Sequence, residues 1–426
     1  MRFNIISRDG DGLGFGTRLL AEGNLVRAWI DTEAAHQCHD GLIPKVGLIQ
    51  EMILDADPAH DVFLFDTSGD GLIADYLRGR GFGVLGACPI ADRLERERQF
   101  GLDVMTAAGL QIPKSTNFTS FADAKRHVNK NKDKRMVYKP SNLLGLKSPA
   151  HVSYNADDLL RLLDSVEKDV PTFKPEFVLQ EFVKGIPLST EIWFDGNGIV
   201  KPLSNHTLER KELMNGNLGP SGGCSGNIVW ACGDCPICEE MDKIVPFLKE
   251  NQYHGPIDLN AIVTEDGIFG LEWTPRFGYD ATPTALFGLL SGELGQFIAD
   301  FSRRQHGYNS PEFVRETFAA GVRISIPPYP AEEHNAESGV PVFGLDSRTD
   351  AYLYNVKRAE DVPVDYVSAG AWGIIALLLG KGDTIAKALN KPYKALEDIK
   401  IKDMMYRTDL KDAFKDDYEE IESYVS

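Results

Sequence analysis

The sequence predicts an α/β protein of several domains, with a doubly wound parallel sheet at its N-terminus. A chain of 426 residues is too long for one ordinary hydrophobic core, so we expect more than one domain. Over residues 1–90, short apolar segments alternate with helix-like stretches, which is typical of a parallel sheet covered by helices. Further along, residues 255–278 have the pattern of a two-stranded hairpin that carries carboxylates.

The first domain is expected to span residues 1–112. Its strands are RFNIIS, LVRAWI, VFLFD and GVLGA, with GTRLLAEGN and GLIADYLRGRG as helices between them and a helical segment from Ala91 to Pro113 at its end. The loop Gly10–Gly16 opens the first helix, where backbone N–H groups can receive an anion. Its glycines lack strict G-x-G-x-x-G spacing, so a ligand-binding loop and a structural turn both remain open.

Three further units are expected after Pro113. Residues 113–190 form a small subdomain that contains the strand and loop KRMVYKPSN, the amphipathic helix ADDLLRLLDSVEK and two strands joined at Gly185. Residues 191–316 form a larger subdomain with a glycine-rich loop and the carboxylate hairpin. Residues 317–426 form a C-terminal domain with a mixed sheet, and its acidic last stretch is expected to be a surface helix.

The composition describes a soluble globular protein, with 43% hydrophobic and 25% charged residues. A net charge of −18 argues against general nucleic-acid binding, and we interpret the one basic run, Lys125–Arg135, as a solvated helix and turn. No apolar run reaches membrane-spanning length. The first residues show no basic leader or cleavage signal, so we expect a cytoplasmic protein.

Four of the six cysteines lie close together. They are Cys224 and the run Cys232-x-x-Cys235-x-x-Cys238. Such spacing can bind zinc or an iron–sulfur cluster. No histidine stands nearby at ligand spacing, so we expect reduced thiols without a metal, which are dispensable for catalysis, while a metal site remains the alternative.

Charged residues at two distant places suggest phosphoryl transfer. Lys139 and Lys147 stand on a strand and on the loop that follows it, and the hairpin carries Asp258, Glu272 and Arg276. Cations that hold phosphates and carboxylates that hold Mg²⁺ are what phosphoryl transfer from ATP requires.

These motifs, taken in order, resemble the ATP-grasp superfamily and, within it, the glycinamide ribonucleotide synthetase family. The segment Lys139-Pro-Ser-Asn-Leu-Leu-Gly-Leu-Lys147 is similar to the family's K-A-D-G-L-A-A-G-K-G. The resemblance implies that Lys139 binds the α-phosphate of ATP and that Lys147, on a mobile loop, binds the β- and γ-phosphates as a catalytic residue. VLQEFVKG resembles the family's hinge, which places Glu181, Phe182 and Val183 at the adenine. Glu191 would then bind the ribose.

Two more segments carry the resemblance. Residues 204–226 are similar to the family's substrate segment, which implies substrate contacts for His206, Arg210, Lys211, Gly222 and Gly223. LEWTPRFGYD resembles E-F-N-x-R-F-G-D-P-E. It implies that Glu272 is a metal ligand and that Arg276 binds a substrate carboxylate and takes part in catalysis. Thr274 stands where the family has a metal-binding Asn. Asp258 matches a ligand of the wider superfamily, and Asn260 offers a further oxygen.

The resemblance implies an ATP-dependent carboxylate–amine ligase that uses Mg²⁺ or Mn²⁺ and forms an amide through an acylphosphate. The carboxylate would be an amino acid such as glycine, and the amine would be phosphoribosylamine. The N-terminal loop departs from the family's G-S-G-G-R-E-H-A, so a diverged ligase that uses another amine is the first alternative. A kinase-like or carboxylase-like phosphorylating enzyme and a catalytically inactive nucleotide-binding regulator are the others.

Overall fold

The computed structural model describes residues 1–86, 88–140, 150–169, 175–305, 310–315, 317–331 and 334–425. Within these residues the backbone forms four sheets. The first begins the chain and is parallel, in the order β2-β1-β3-β4. Its elements are β1 (Arg2–Ser7), α1 (Leu13–Ala21), β2 (Leu25–Ile30), α2 (Ile49–Leu54), β3 (Asp61–Phe65), α3 (Gly71–Gly79) and β4 (Gly83–Leu85).

The central strands β1 and β3 are buried along nearly their whole length, as expected when helices cover both faces of a parallel sheet. The helical segment predicted after this sheet is two helices, α4 (Pro89–Arg96) and α5 (Arg98–Ala107), which meet at Glu97 because its backbone is not helical (φ −95°, ψ 84°). Both helices belong to the N-terminal domain, and α5 packs toward Trp273 and Gly270 of the later hairpin.

The small subdomain is an antiparallel sheet in the order β5-β8-β6-β7, covered by two helices. Phe177 lies at the centre of its core, where its ring stacks on Phe118 and Phe121. The elements are β5 (Ser115–Phe118), α6 (Phe121–Lys130), β6 (Met136–Pro140), β7 (His151–Val152), α7 (Ala156–Asp169) and β8 (Phe177–Glu181).

The remaining strands form an eight-stranded antiparallel sheet, in the order β13-β12-β9-β10-β11-β14-β19-β16, and a three-stranded sheet, β15-β18-β17. The strands are β9 (Ile186–Phe194), β10 (Asn205–Met214), β11 (Leu218–Ala231), β12 (Gly255–Thr264), β13 (Gly267–Thr274), β14 (Phe318–Ser325), β15 (Ser338–Val342), β16 (Ala351–Leu353), β17 (Val356–Arg358), β18 (Tyr366–Ala369) and β19 (Ile374–Gly382). The helices are α8 (Pro236–Asp242), α9 (Val245–Glu250), α10 (Ala281–Gly288), α11 (Leu294–Ser302), α12 (Ile385–Asp398) and α13 (Leu410–Val425).

Two of the domain borders proposed from the sequence fall inside this sheet. The border proposed at residue 190 lies within β9, and the sheet spans the border proposed at residue 317 because β11 pairs with β14. The division into domains stays a prediction. The acidic C-terminal helix α13 is docked on the core through Leu410, Phe414 and Ile421, which are all buried. Among the described residues, no helix is both long and apolar enough to span a membrane.

Candidate active site

One face of the large sheet carries polar side chains from four adjacent strands. Neighbours in register on an antiparallel sheet lie on the same face. Asn260 of β12 is in register with Ser189 of β9 and with Glu272 of β13, and Asp258 is in register with Thr274. The Ser189 hydroxyl donates to Asp258 Oδ2 at 2.8 Å, and Asn260 Nδ2 donates to Thr274 Oγ1 at 3.0 Å. The hairpin therefore presents its oxygens to one groove, as predicted.

A cavity of about 230 Å³ lies over this face. It is lined by Ser189, Thr207, Glu209, Lys211, Asn260 and Glu272, among others. The buried ammonium of Lys139, which is on β6 of the small subdomain, interacts electrostatically with Glu272, so the two sheets meet at this groove. Such a cleft between two subdomains, with cations on one wall and carboxylates on the other, can hold a polyphosphate and its cation.

Three cations surround Glu272. Arg98 of α5 forms an ion pair with it at 2.9 Å, and Lys139 and Lys211 add positive potential. Burial opposes the charge of this carboxylate, but the three cations outweigh burial and lower its pKa to about 2. Glu272 is therefore ionised at any physiological pH.

The pKa values of Lys139 and Lys211, the two lysines near Glu272, are shifted in opposite directions. Burial lowers the pKa of Lys139 to about 8, although Glu272 partly offsets this effect. Lys211 is exposed at the mouth of the groove, and the carboxylates of Glu209 and Glu272 raise its pKa. The empty site therefore carries too little negative charge to stabilise the ammonium group of Lys139 fully. This is expected of a residue that binds an anionic ligand.

Asp258 has the features of a cation ligand. Its Oδ1 is buried and accepts no hydrogen bond from the part of the chain that the structure describes. Burial raises the pKa of Asp258 to about 8, and the hydroxyl of Ser189 opposes this shift. An orphaned carboxylate oxygen beside Asn260 and Glu272 fits a hard divalent cation such as Mg²⁺, which prefers oxygen ligands. Thr274 is less suited, because its hydroxyl already accepts a hydrogen bond from Asn260.

Arg276 follows the hairpin and points at the N-terminal domain. Its Nε and Nη2 donate to Oε1 of Glu95, on α4, at 3.1 and 3.0 Å, and its guanidinium stacks 4.4 Å from the ring centre of Tyr279. Burial opposes the charge, but Glu95 outweighs burial and raises the pKa of Arg276. A substrate carboxylate at Arg276 must therefore exchange with Glu95.

The glycine-rich loop is held by a buried ion pair. Arg323 of β14 donates to both oxygens of Asp280 at 2.9 and 2.7 Å and to the carbonyl oxygen of Gly222 at 3.1 Å. The hydroxyl of Tyr329 also donates to that carbonyl, and a Cβ at position 222 would overlap the Tyr329 ring. Gly222 is thus required for a close approach, and Gly223 is required for its positive φ of 80°.

The N-terminal loop, Gly10–Gly16, is fixed by hydrogen bonds to side chains of the first sheet. The N–H of Gly12 donates to Asp66 Oδ2 at 2.7 Å, and the N–H of Gly10 donates to the hydroxyl of Ser7 at 2.8 Å. Burial, reinforced by neighbouring carboxylates, raises the pKa of Asp11 to about 8 and that of Asp66 to about 6. These contacts favour the interpretation of the loop as a structural turn, because the N–H groups of Gly10 and Gly12 already have acceptors.

Two predicted substrate contacts, His206 and Arg210, lie on the opposite face of β10 from the groove. The His206 ring is fully buried and shares a hydrogen bond of 3.0 Å with the Thr190 hydroxyl. Arg210 forms an ion pair with Asp417 of α13 at 2.5 Å. Because side chains alternate along a strand, Lys211 has the parity of the groove face, whereas the side chains of His206 and Arg210 have their partners on the other side. Arg210 still borders the cavity, and both substrate contacts stay predictions.

The structure also gives Glu191 a different set of contacts from the predicted one with the ribose. It lies on the polar face, but α10 covers that end of the sheet, and the side chain is buried. Its oxygens accept hydrogen bonds from Trp193 Nε1, Asn205 Nδ2 and Thr282 Oγ1, each at 2.9 Å. These bonds show that Glu191 stabilises the contact of α10 with the sheet, and its predicted ribose contact stays a prediction.

The hinge connects the two sheets as expected. Glu181 ends β8 and forms an ion pair with Lys134 at 2.5 Å, and the guanidinium of Arg135 lies 3.9 Å over the Phe182 ring. A Cβ at Gly185 would overlap the carbonyl oxygen of Val263, so the hinge packs on β12. The adenine contacts of Glu181, Phe182 and Val183 stay predictions. Lys147 lies outside the described residues, and its role also stays a prediction.

Sequence reasoning missed four charged residues of the site. Glu95, Arg98 and Arg323 carry no recognisable local motif, since each acts on a partner far away in the chain. Asp280 could have been found, because it ends the segment LEWTPRFGYD, which carries part of the family resemblance.

Comparisons with known proteins agree with this geometry. No protein-family model matches the chain. The phosphoribosylamine–glycine ligase of Leifsonia xyli is 25% identical over 349 residues, which cover 79% of this chain and 80% of that protein. The crystal structure of the phosphoribosylamine–glycine ligase of Thermotoga maritima superimposes with a TM-score of 0.74 at 19% identity, and covers 96% of this chain and 99% of that one.

A second solved structure that is similar to this chain is not a phosphoribosylamine–glycine ligase. It is the biotin carboxylase domain of 2-oxoglutarate carboxylase from Hydrogenobacter thermophilus, in complex with MgADP and bicarbonate, with a TM-score of 0.65 at 13% identity and coverage of 99% of this chain and 98% of that one. The chain therefore has the ATP-grasp fold and is related in sequence to phosphoribosylamine–glycine ligases. Both expectations from the sequence are confirmed.

Proposed function

We propose that this chain is an ATP-dependent carboxylate–amine ligase that forms an amide through an acylphosphate, with phosphoribosylamine–glycine ligase activity. The observation that carries the proposal is the groove between the two sheets, where Lys139, Lys211 and Arg98 surround Glu272 next to Asp258. The relatives named above give the same activity. ATP and Mg²⁺ dependence is supported at the level of the fold, since a solved neighbour binds MgADP.

The chain's residues would act by positioning and charge neutralisation. Lys139 and Lys211 bind phosphate oxygens, and Lys147 is proposed to join them from its loop. Asp258 and Glu272 would hold Mg²⁺, which when bound neutralises charge on the phosphates. A carboxylate oxygen of the amino acid then attacks the γ-phosphorus, an O–P bond forms, and the bond to the leaving ADP oxygen breaks. No covalent enzyme intermediate is needed.

The second half-reaction uses the other end of the cleft. The amine nitrogen attacks the acyl carbon, inorganic phosphate leaves, and the nitrogen loses a proton, so that an amide results. Arg276 would bind the amino acid's carboxylate bidentately before it is phosphorylated, once Glu95 gives way, and would then stay beside the acylphosphate. The backbone around Gly222, fixed by Arg323, gives the loop a defined position from which it can contact the reacting groups.

A second candidate keeps this chemistry but uses another amine. It is favoured by one observation, the hydrogen bond from the Gly12 N–H to Asp66, which places a carboxylate where a sugar phosphate would need a donor. Nothing in the site favours a catalytically inactive regulator, since the groove keeps its lysine and its carboxylates.

One experiment tests the proposal and separates the candidates. The protein is supplied with ATP, Mg²⁺, glycine and freshly generated phosphoribosylamine, and both ADP and the amide product are measured. Equal amounts of ADP and glycinamide ribonucleotide support the first candidate. ADP release with glycine and a different amine, but not with phosphoribosylamine, supports the second. If no pair of carboxylate and amine releases ADP, the ligase proposal is wrong.

A further inference from the structure

We infer that His206, Cys232, Cys235 and Cys238 form a structural zinc site on the side of the large sheet that faces away from the groove. Nε2 of His206 lies 3.5 Å from the Cys235 sulfur and 4.0 Å from the Cys238 sulfur. The two sulfurs are 2.9 Å apart, and one ligand atom from each of these three residues lies within 4.8 Å of the others. Cys232 is buried and stands three residues before Cys235, so we propose it as the fourth ligand, although its sulfur is not one of the three ligand atoms that lie within 4.8 Å of one another. Three cysteines and one histidine are a common ligand set for structural zinc.

The distances suit one tetrahedral metal ion. With zinc–sulfur bonds of about 2.3 Å and zinc–nitrogen bonds of about 2.0 Å, tetrahedral ligand atoms lie roughly 3.5–3.8 Å apart. Both distances from His206 to sulfur are near this range. The distance between the Cys235 and Cys238 sulfurs is shorter, but it is far longer than the disulfide bond length of about 2.05 Å. An opening of less than about 1 Å between these two thiols would therefore complete the geometry.

The histidine is already oriented for metal binding. Its Nδ1 shares a hydrogen bond of 3.0 Å with the hydroxyl of Thr190, on the neighbouring strand β9. If Nδ1 is the protonated nitrogen, Nε2 presents its lone pair to the sulfurs. A zinc-bound histidine usually makes such a second contact, which fixes its tautomer and ring orientation. In a core histidine without a metal, Nε2 would instead be expected to meet a strong hydrogen-bonding group.

The residues around this cluster leave a path for a cation from the solvent and bury the ligands that would bind it. Cys232 and Cys235 are 5% and 4% exposed, and His206 is fully buried. Cys238 is partly exposed at the wall of a cavity of about 430 Å³. Asp234, Glu239 and Asp242 line this cavity, with Lys201 as the cation among its lining residues. The cavity offers an entry path with net negative charge, a requirement that a metal site must meet.

Zinc fits better than an iron–sulfur cluster. The ligands of such a cluster bind different irons and lie farther apart than the atoms of one mononuclear site. The His206, Cys235 and Cys238 atoms are as close as ligands of a single ion. All four ligands come from the protein, which is typical of structural rather than catalytic zinc. The ion would join β10 to the Cys232–Cys238 turn and the start of α8.

The zinc site would stabilise β10, which carries residues of the ligase groove on its opposite face. His206 lies on β10 between neighbours whose side chains face the other way, and Thr207, Glu209 and Lys211 of the same strand line the groove. Fixing His206 thus fixes the backbone that carries these groups. The expectation that the cysteines remain without a metal was based on the lack of a histidine nearby in sequence, and the fold removes that reason because β10 supplies one.

The test is metal content with a matched control. Wild-type protein, purified under reducing conditions with zinc in the medium, is analysed by mass spectrometry of metals, alongside Cys235→Ser, Cys238→Ser and Cys38→Ser. Cys38 is a buried thiol outside the cluster, so its variant controls for loss of a cysteine. We expect about one zinc per wild-type and Cys38→Ser chain. Each cluster variant should lose most of its zinc and melt at a lower temperature.

Cobalt gives a second readout on the wild-type protein, which does not depend on whether the variants fold. Replacement of zinc by Co²⁺ should produce thiolate-to-cobalt charge-transfer bands and the intense visible bands of a tetrahedral site. Wild-type protein that takes up no zinc, a Cys235–Cys238 disulfide in its place, or iron with sulfide would each overturn the inference. Zinc that stays well below one per chain and is unchanged in the cluster variants would show adventitious metal only.

Discussion

Replacing Lys139 by methionine should stabilise the ligand-free protein and abolish its use of ATP. Methionine has a similar length but carries no charge, so it removes an ammonium group that is only 7% exposed. The pKa of that group falls from 10.5 to about 8 on folding, a drop of about 2.5. At about 1.4 kcal/mol for each pKa unit, holding the charge in the empty groove costs on the order of 3 kcal/mol.

The cost depends on pH with a definite sign. Below pH 8 the lysine is protonated in both the folded and the unfolded chain, and the whole cost is present. Between pH 8 and 10.5 the unfolded chain binds more protons, so wild-type stability rises with pH, and above 10.5 the cost is gone. The advantage of Lys139→Met should therefore be largest at pH 7 and shrink as pH rises toward 10.

Hydrogen exchange measures this effect where it arises. Peptides that cover β6 and β8 report the opening of the small subdomain, and a stabilisation of about 3 kcal/mol would slow their exchange by roughly a hundredfold if they exchange through that opening. Nucleotide binding and ADP release are measured on the same preparation. Lys387→Met is the control, since Lys387 is an exposed lysine of α12 and its loss should change stability by less than about 0.5 kcal/mol.

Two results would refute this reasoning. Faster exchange in β6 and β8 of Lys139→Met would mean that the ammonium stabilises the empty groove, against the direction of its pKa shift. Wild-type nucleotide affinity in the variant would mean that Lys139 does not contact phosphate. Greater stability together with lost activity is the pattern of a residue retained for function.

Three further substitutions test other parts of the site. Glu272→Gln should abolish Mg²⁺-dependent ADP formation because the cation loses a charged ligand, and an unchanged Mg²⁺ titration would remove the hairpin from the site. Gly222→Ala forces a Cβ onto the ring of Tyr329, and overpacking of about 1–3 kcal/mol should lower kcat/KM about tenfold or more. Gly79→Ala, at the end of α3 with open space around it, should not, and equal rates in the two variants would contradict the role of this loop. Lys147→Ala should lower turnover by roughly ten- to a hundredfold, for a contact of about 1.5–3 kcal/mol, with an unchanged circular dichroism spectrum; wild-type turnover would exclude the phosphate role.

The local sequence pattern was sufficient to predict the strands of the first domain and the hairpin that forms one wall of the groove. The strands of the first domain and the β12–β13 hairpin follow from alternation and β-propensity, and both carboxylates of the hairpin lie where predicted. Strand parity could also have corrected the substrate segment. His206 and Arg210 are four residues apart and must share a face, whereas Lys211 must lie on the other, so the three could not all contact one substrate.

Other features depend on contacts that no local pattern encodes. Arg98 reaches Glu272 across 174 residues of sequence, and His206 meets Cys235 across 29. Glu191 lies on the polar face of the sheet, but its burial follows from α10, whose packing the strand pattern does not reveal. In each case the long-range packing of the sheet decides which partner a polar side chain finds.

The charges that bridge the domains indicate how the groove selects its ligand. Helices α4 and α5 offer the hairpin one residue of each sign: Glu95 pairs with Arg276, and Arg98 pairs with Glu272. A bare polyphosphate would bring negative charge next to the ionised Glu272, and the repulsion would be strong in a partly buried cleft. A polyphosphate that arrives with a divalent cation avoids this repulsion, because the carboxylates then bind the cation while Lys139 faces the phosphates. Under the proposed function, a groove that leaves Lys139 short of negative charge is therefore expected to favour the metal complex of a nucleotide over the free nucleotide, and the substrate carboxylate would complete the exchange by taking the place of Glu95 on Arg276.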